Sequence, residues 1–170
     1  RYQLAATSGR ENALPSAPGA PATRYIDDFG PSSNAGGYFG GGEPGNVSIV
    51  DKLNYSADTT ARIPSANLPT GKNNMAAASS QGNGYFVGGS PSSSNINKLN
   101  YSTDGISVIP SKYPNFIYSF AATSTTAQAI FSGGINPAVA GGTSATNKLT
   151  FSTDSVSGVP AAPLSVKRYI

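Results

Sequence analysis

One fourteen-residue phrase occurs three times in this chain, and nothing else in it narrows the fold so far. It reads DKLNYSADTTARIP from Asp51 to Pro64, NKLNYSTDGISVIP from Asn97 to Pro110 and NKLTFSTDSVSGVP from Asn147 to Pro160. A second phrase keeps the same rhythm: GYFGGG from Gly37, GYFVGG from Gly84 and AIFSGG from Ala129. The aromatic-glycine anchor recurs at spacings of 47 and 45 residues, and the Lys-Leu anchor at 46 and 50. Self-similarity at a fixed period is the mark of a repeat architecture, here with a unit near 47 residues. The slack falls between the Gly pair and the Lys, where a loop absorbs it.

Each unit holds four short strand-like pieces. Piece A is MAAASS (Met75 to Ser80) or SFAATS (Ser119 to Ser124), and piece B is the aromatic-glycine phrase. Piece C is KLNYS or KLTFS, and piece D is TARIP, SVIP or SGVP. Short runs of β-branched and aromatic residues bounded by Gly, Asn, Ser and Pro read as strands and turns. No helical period of apolar residues persists anywhere. The expected class is therefore all-β, in four-stranded repeats.

The beginning of the chain admits two registers. Aligning Pro15 with Pro64 lays YQLAATSG (Tyr2 to Gly9) on DKLNYSAD without a gap. The rival matches RYQLAATS to piece A and needs roughly twenty extra residues before Gly36, an insertion the repeat itself does not supply. The ungapped register is preferred. It makes residues 1–21 the second half of a unit, 22–69 the first full repeat, 70–115 the second, and 116–170 the third with the start of the next.

Four strands per unit of this size is the dimension of a β-propeller blade. The Gly pairs Gly41-Gly42, Gly88-Gly89 and Gly133-Gly134, followed by Tyr55, Tyr101 and Phe151, resemble the kelch repeat. The wording YFGGG … KLNYSADT is similar to kelch-like repeats in tail-fibre and appendage proteins of phages, including those of cyanobacteria. One hallmark is absent: there is no Trp, and Ile63, Ile109 and Val159 stand near its usual place. The resemblance implies a propeller-like arrangement of three full units and a half. Closed propellers use about four to eight blades, so the resemblance further implies a fragment, a ring completed by another chain, or an open array. Unpaired strand edges invite a further strand, which predicts an oligomer or filament of copies of this chain.

The residues fit that expectation physically. A Gly pair lets backbones approach closely at a crowded axis. Leu53, Leu99 and Leu149 lie two residues before Tyr55, Tyr101 and Phe151, hence on one strand face. Such Leu-x-aromatic pairs supply apolar area for packing between sheets.

Chemistry finds few footholds. Cys and His are absent, which removes disulfides, thiolate metal sites and the commonest general base. Asp58, Asp104 and Asp154 recur once per unit. A metal-binding ring is one reading, but Asp-initiated turns explain them more simply, and calcium needs about six to eight oxygens. Lys52, Lys98 and Lys148 also recur; they read as solvated charges that discourage edge pairing rather than as an anion-holding ring. Asp27 and Asp28 are adjacent and would point to opposite faces of a strand, and Glu11 and Glu43 are the only glutamates. Nothing places two carboxylates across a sugar, and GGGEPG (Gly40 to Gly45) lacks the P-loop Lys-Ser/Thr. No enzyme, cofactor or metal is expected. Asn46, Asn54 and Asn100 match the N-glycosylation pattern, which the third repeat breaks with Thr150.

Charge narrows the partners. Only 11% of residues are charged, against about 25% in ordinary globular domains. The net charge of +3 is scattered, with Lys167-Arg168 the only adjacent basic pair, too thin to track nucleic-acid phosphates. No run of about eighteen apolar residues exists to span a membrane. The first residue is Arg1 rather than Met, which implies a missing leader or a segment of something longer. A surface wetted by hydroxyls and amides suits an extracellular or virion location. The expected function is a non-enzymatic structural repeat protein of a fibre or filament. An adhesin that binds cell-surface glycans through loop Tyr and Asn is the alternative.

Overall fold

The computed structural model describes residues 5–8, 36–91, 93–138 and 142–169. Twelve strands form three antiparallel four-stranded sheets, and no described residue is in an α-helix. The first sheet is β1 (Ala5–Ser8), β2 (Gly36–Gly40), β3 (Val50–Asn54) and β4 (Thr59–Arg62), in that order. The second is β5 (Ala76–Ser79), β6 (Asn83–Val87), β7 (Ile96–Asn100) and β8 (Gly105–Val108). The third is β9 (Ala121–Ser124), β10 (Gln128–Ser132), β11 (Thr146–Thr150) and β12 (Ser155–Gly158). Each sheet is a meander, and none closes on itself. The first strands stand side by side, β1 against β5 and β5 against β9.

The beginning of the chain takes the gapped register, contrary to the preferred one. Ala5–Ser8 pairs with β2 as β5 pairs with β6 and β9 with β10. Three residues join β5 to β6 and β9 to β10, whereas 27 separate β1 from β2. A long insertion between paired strands costs only slowly growing loop entropy, so the match of AATS to AATS prevails over continuity. Asp27, Asp28, Glu11 and the Pro-rich run from Leu14 to Ile26 lie outside the described residues.

Strand register explains which side chains meet. Tyr38 faces Lys52 across the ladder, Tyr85 faces Lys98, and Ile130 faces Lys148. Cross-strand partners share a face, so each pair projects from one side of its sheet. On the other side Gly37, Gly84 and Ala129 sit opposite Leu53, Leu99 and Leu149. A small residue there leaves room for the leucine.

Two cores fill the junctions. Between the first and second sheets lie Tyr38, Val50, Leu68, Met75, Phe86, Leu99 and Tyr101. Between the second and third lie Tyr85, Val87, Ile96, Ile109, Tyr113, Phe131 and Leu149, with Phe151 and Val156 packed against them. The middle sheet is thus apolar on both faces, which is why β6 is buried along Gly84–Val87 and does not alternate.

Candidate functional site

The side chains that carry specific chemistry converge where one sheet meets the next. At the first junction the Tyr38 hydroxyl donates to Asp104 Oδ1 at 2.5 Å. Lys52 Nζ reaches the same carboxylate at 3.0 Å (Oδ1) and 2.9 Å (Oδ2). Above them the Tyr38 and Tyr101 rings stack with centroids 5.2 Å apart, and Lys52 Nζ lies 5.2 Å from the Tyr38 ring. Ser65, in the 3-10 turn Pro64–Ala66, adds a bond from its hydroxyl to the Asp104 carbonyl at 2.9 Å.

The second junction repeats the arrangement. Tyr85 donates to Asp154 Oδ1 at 3.0 Å, and Lys98 Nζ meets Asp154 Oδ2 at 2.6 Å. Tyr85 stacks on Phe151 at 5.0 Å. Each clasp takes a Tyr and a Lys from one sheet and an aromatic and an Asp from the next. The Asp is presented by the β3–β4, β7–β8 or β11–β12 turn, where Asp58, Asp104 and Asp154 all hold left-handed φ of 50°, 51° and 49°. Asp tolerates that conformation because its short side chain bonds locally or to a neighbour.

The recurrent lysines therefore do more than keep an edge solvated. Lys52 and Lys98 are ion-paired across the junctions, a correction that only tertiary placement could supply. The Asp positions are turns, as expected, and two of them also accept from a neighbouring sheet. Lys148 and Asp58, the remaining copies, pair with nothing among the described residues. Among those residues no group of three or more carboxylates gathers as for a metal.

Burial, then the bond to Asp104 and that group's charge, hold the Tyr38 phenol far above its ordinary range. Burial, then the charge of Asp154 and the bond to it, do the same at Tyr85. Both phenols stay protonated donors. The arrangement fastens one sheet to the next.

The Gly pairs form a second repeated device. Gly41, Gly88 and Gly133 have φ of 74°, 68° and 73°, and a Cβ on them would fall 2.4, 2.4 and 2.5 Å from the carbonyl oxygens of Lys72, Ile117 and Arg168. The next residues, Gly42, Gly89 and Gly134, donate their N–H to those same carbonyls, each at 2.8 Å. Each strand end thus grips the segment that leaves its sheet. Close approach of two backbones is what glycine permits here.

At this end Lys72 is buried, with 4% of its surface exposed, and donates to Ser93 Oγ at 2.8 Å. Burial, then the charge of Lys112, lowers it to about 8. Lys112 bonds Asn95 Oδ1 at 2.7 Å, and Asn73 Nδ2 donates to Glu43 Oε1. The second glutamate oxygen accepts from Gly45 N at 3.0 Å, so the GGGEPG loop is self-capped. Asn54 and Asn100 use their side-chain oxygens on the backbone of Ser56 and Ser102, both at 2.9 Å, so their Asn-x-Ser pattern also serves turn chemistry.

Sequence reasoning passed over Tyr38 and Tyr85 as donors, and over Lys72. The first two left a signal: a tyrosine directly after the first residue of piece B in two of three units, replaced by Ile130 in the third. Lys72 left none, because its unit neighbours are Ile117 and Arg168.

No protein-family model matches the chain, and no curated protein does. Among solved structures it is similar to YjhT, with a TM-score of 0.62 at 17% identity. The likeness covers 74% of this chain and 47% of YjhT, so the chain spans about half the length of that protein. At this identity the likeness is one of fold.

Proposed function

We propose that this chain is a non-enzymatic structural module, an arc of a kelch-like β-propeller that belongs to an extracellular or virion fibre. The observation that carries the reading is the clasp made twice from the same four repeat positions. The specific polar chemistry of those positions is spent on joining sheets. The side-by-side placement of β1, β5 and β9, the four-stranded meanders and the likeness to YjhT support the propeller. Strands β4, β8 and β12 each leave one edge unpaired among the described residues, so assembly between chains has those edges available. Immunogold electron microscopy with an antibody to this chain tests the reading. Labelling along filaments or virion appendages is expected, and label confined to cell interiors would overturn it.

The glycan-binding alternative has one observation in its favour. Phe116 and Tyr169, both on segments that leave a sheet, are 58% and 59% exposed, and flat aromatic surface is what sugar rings stack against. A glycan array probed with the purified chain decides it. Signal lost in Phe116→Ala would favour binding, and a blank array removes that reading.

A further inference from the structure

Lys72 is a buried charge that the clasps do not use. Its backbone carbonyl is the one gripped by Gly42, as that of Ile117 is by Gly89 and that of Arg168 by Gly134. The same place in the fold is filled by a buried isoleucine after the second sheet and by an exposed arginine after the third. Packing there accepts an apolar side chain and does not require a cation. Yet Lys72 is 4% exposed, and its one hydrogen bond among the described residues is the donation to Ser93 Oγ at 2.8 Å. An ammonium carries three donors, and no carboxylate among the described residues pairs with this one. Glu43, on the neighbouring loop, is taken up by Asn73 and Gly45. Buried charges are ordinarily paired, so the missing partner is the informative feature.

The contacts around Lys72 leave donors to spare and no acceptor. Ser93 Oγ accepts from Lys72 Nζ and, at 3.1 Å, from the Asn95 backbone N–H. Both its lone pairs are then used, and its own hydrogen is left to give. Asn95 Oδ1 accepts from Lys112 Nζ at 2.7 Å, which brings a second ammonium to the same loop. Ser93 and Asn95 are half-buried and Lys112 is exposed, so the cluster runs from a covered ammonium to the surface. We infer that this cluster is an oxyanion site, in which Lys72 Nζ, the Ser93 hydroxyl and Lys112 Nζ hold a sulfate or phosphate group, free or as an ester. Two ammoniums and a donating hydroxyl select a charged ligand built of acceptors, and lysines bind such a group as point charges. Its negative charge also relieves the repulsion of two cations that face one loop. The site uses no clasp residue and stands independently of the fibre reading.

The test is isothermal titration calorimetry of the purified 170-residue chain with sodium sulfate, against sodium chloride at equal ionic strength. Sulfate is expected to bind and chloride to give no comparable heat. Sulfate keeps its charge from neutral to mildly alkaline pH, so a proton taken up on binding goes to the protein. At about pH 8.5 binding should take up part of a proton, read as a heat that varies with the ionisation heat of the buffer, and at about pH 6.5 it should take up none. Lys72→Ile, which copies the second unit, should abolish both the binding and the proton uptake, while the ligand-free melting temperature holds or rises. Lys112→Gln, at an exposed position, should weaken binding by about tenfold and keeps the test decisive should Lys72→Ile unfold. A monosaccharide 6-sulfate that binds more tightly than the free ion assigns the group to an ester, and equal or weaker binding assigns it to the free ion; either supports the site. Sulfate heats no larger than those of chloride overturn the inference. So does sulfate binding that is unchanged in Lys72→Ile or in Lys112→Gln.

Discussion

The middle sheet and the first sheet carry almost the same residues on almost the same strands, yet bury them to different depths. Leu99 and Tyr101 are enclosed against Tyr38 and Val50. Leu53 is partly buried, and Tyr55 is 39% exposed. The pleat, the turn and the left-handed Asp are common to both. The difference is a neighbouring sheet, which among the described residues packs on that face of the middle sheet and not on that of the first. Burial in this repeat is therefore a property of the junction, and a strand face acquires its energetic weight only when the next unit is laid on it.

The strongest way to break the comparison is to truncate the leucine in each context. Leu99→Ala is expected to cost about 3 kcal/mol, because it opens a cavity in a closed junction. Leu53→Ala is expected to cost about 1 kcal/mol or less, because the site is already half open. Urea unfolding of the two variants reads the difference, and equal losses would show that the first face is covered.

Glycine substitutions sharpen the same contrast at the backbone. Gly88→Ala adds a Cβ 2.4 Å from the Ile117 carbonyl at φ 68°, and about 2–3 kcal/mol should be lost. Gly45 has φ 83° but no atom within 4 Å of such a Cβ. Gly45→Ala should therefore cost only about 1 kcal/mol of conformational strain. Thermal melts that rank Gly45→Ala as the worse of the two would contradict the strand-end grip.

A pH series probes the covered segment that holds Lys72. Its folded value of about 8 lies below the ordinary 10.5, so the unfolded chain binds more protons between them. Stability should rise with pH across that window, by on the order of 3 kcal/mol. Tyr38, Tyr85 and Tyr113 act the other way. Their folded values are raised, Tyr113 to about 12. Their contribution is complete below about pH 10 and is lost as pH climbs toward the folded values. The melting temperature should thus peak between about pH 9 and pH 10. In Lys72→Met the rise from pH 8 should vanish; if it persists, another group is responsible.

The smallest effect belongs to the ion pair itself. A double-mutant cycle on Lys98→Met and Asp154→Asn should give a coupling of about 0.5–1 kcal/mol that shrinks in salt, as both groups are part-exposed. Lys148→Met should be within about 0.5 kcal/mol of neutral for folding of the single chain. A coupling of zero between Lys98 and Asp154 would mean the stacked rings hold the junction alone.

Much of this was legible in residues read one unit at a time. The four strands, the Asp-bearing turns, the Gly pairs and the common face of Leu99 and Tyr101 all follow from local period and turn chemistry. The first strand was not legible, because AATS fits two registers and the choice depends on a 27-residue connection that no local rule forbids. The lysines were misjudged for a related reason. Lys52 and its acceptor Asp104 are 52 residues apart, and nothing near either one announces the other.

The sequence by itself determined that this chain is a row of like sheets, since a fixed 47-residue rhythm of strand and turn signals is written along it. Only the tertiary structure decided which copies of a shared residue are buried, paired or left facing outward. Local signals act over a few residues and are identical in every copy. Packing and ion pairing act across a junction, and each copy meets a different neighbour.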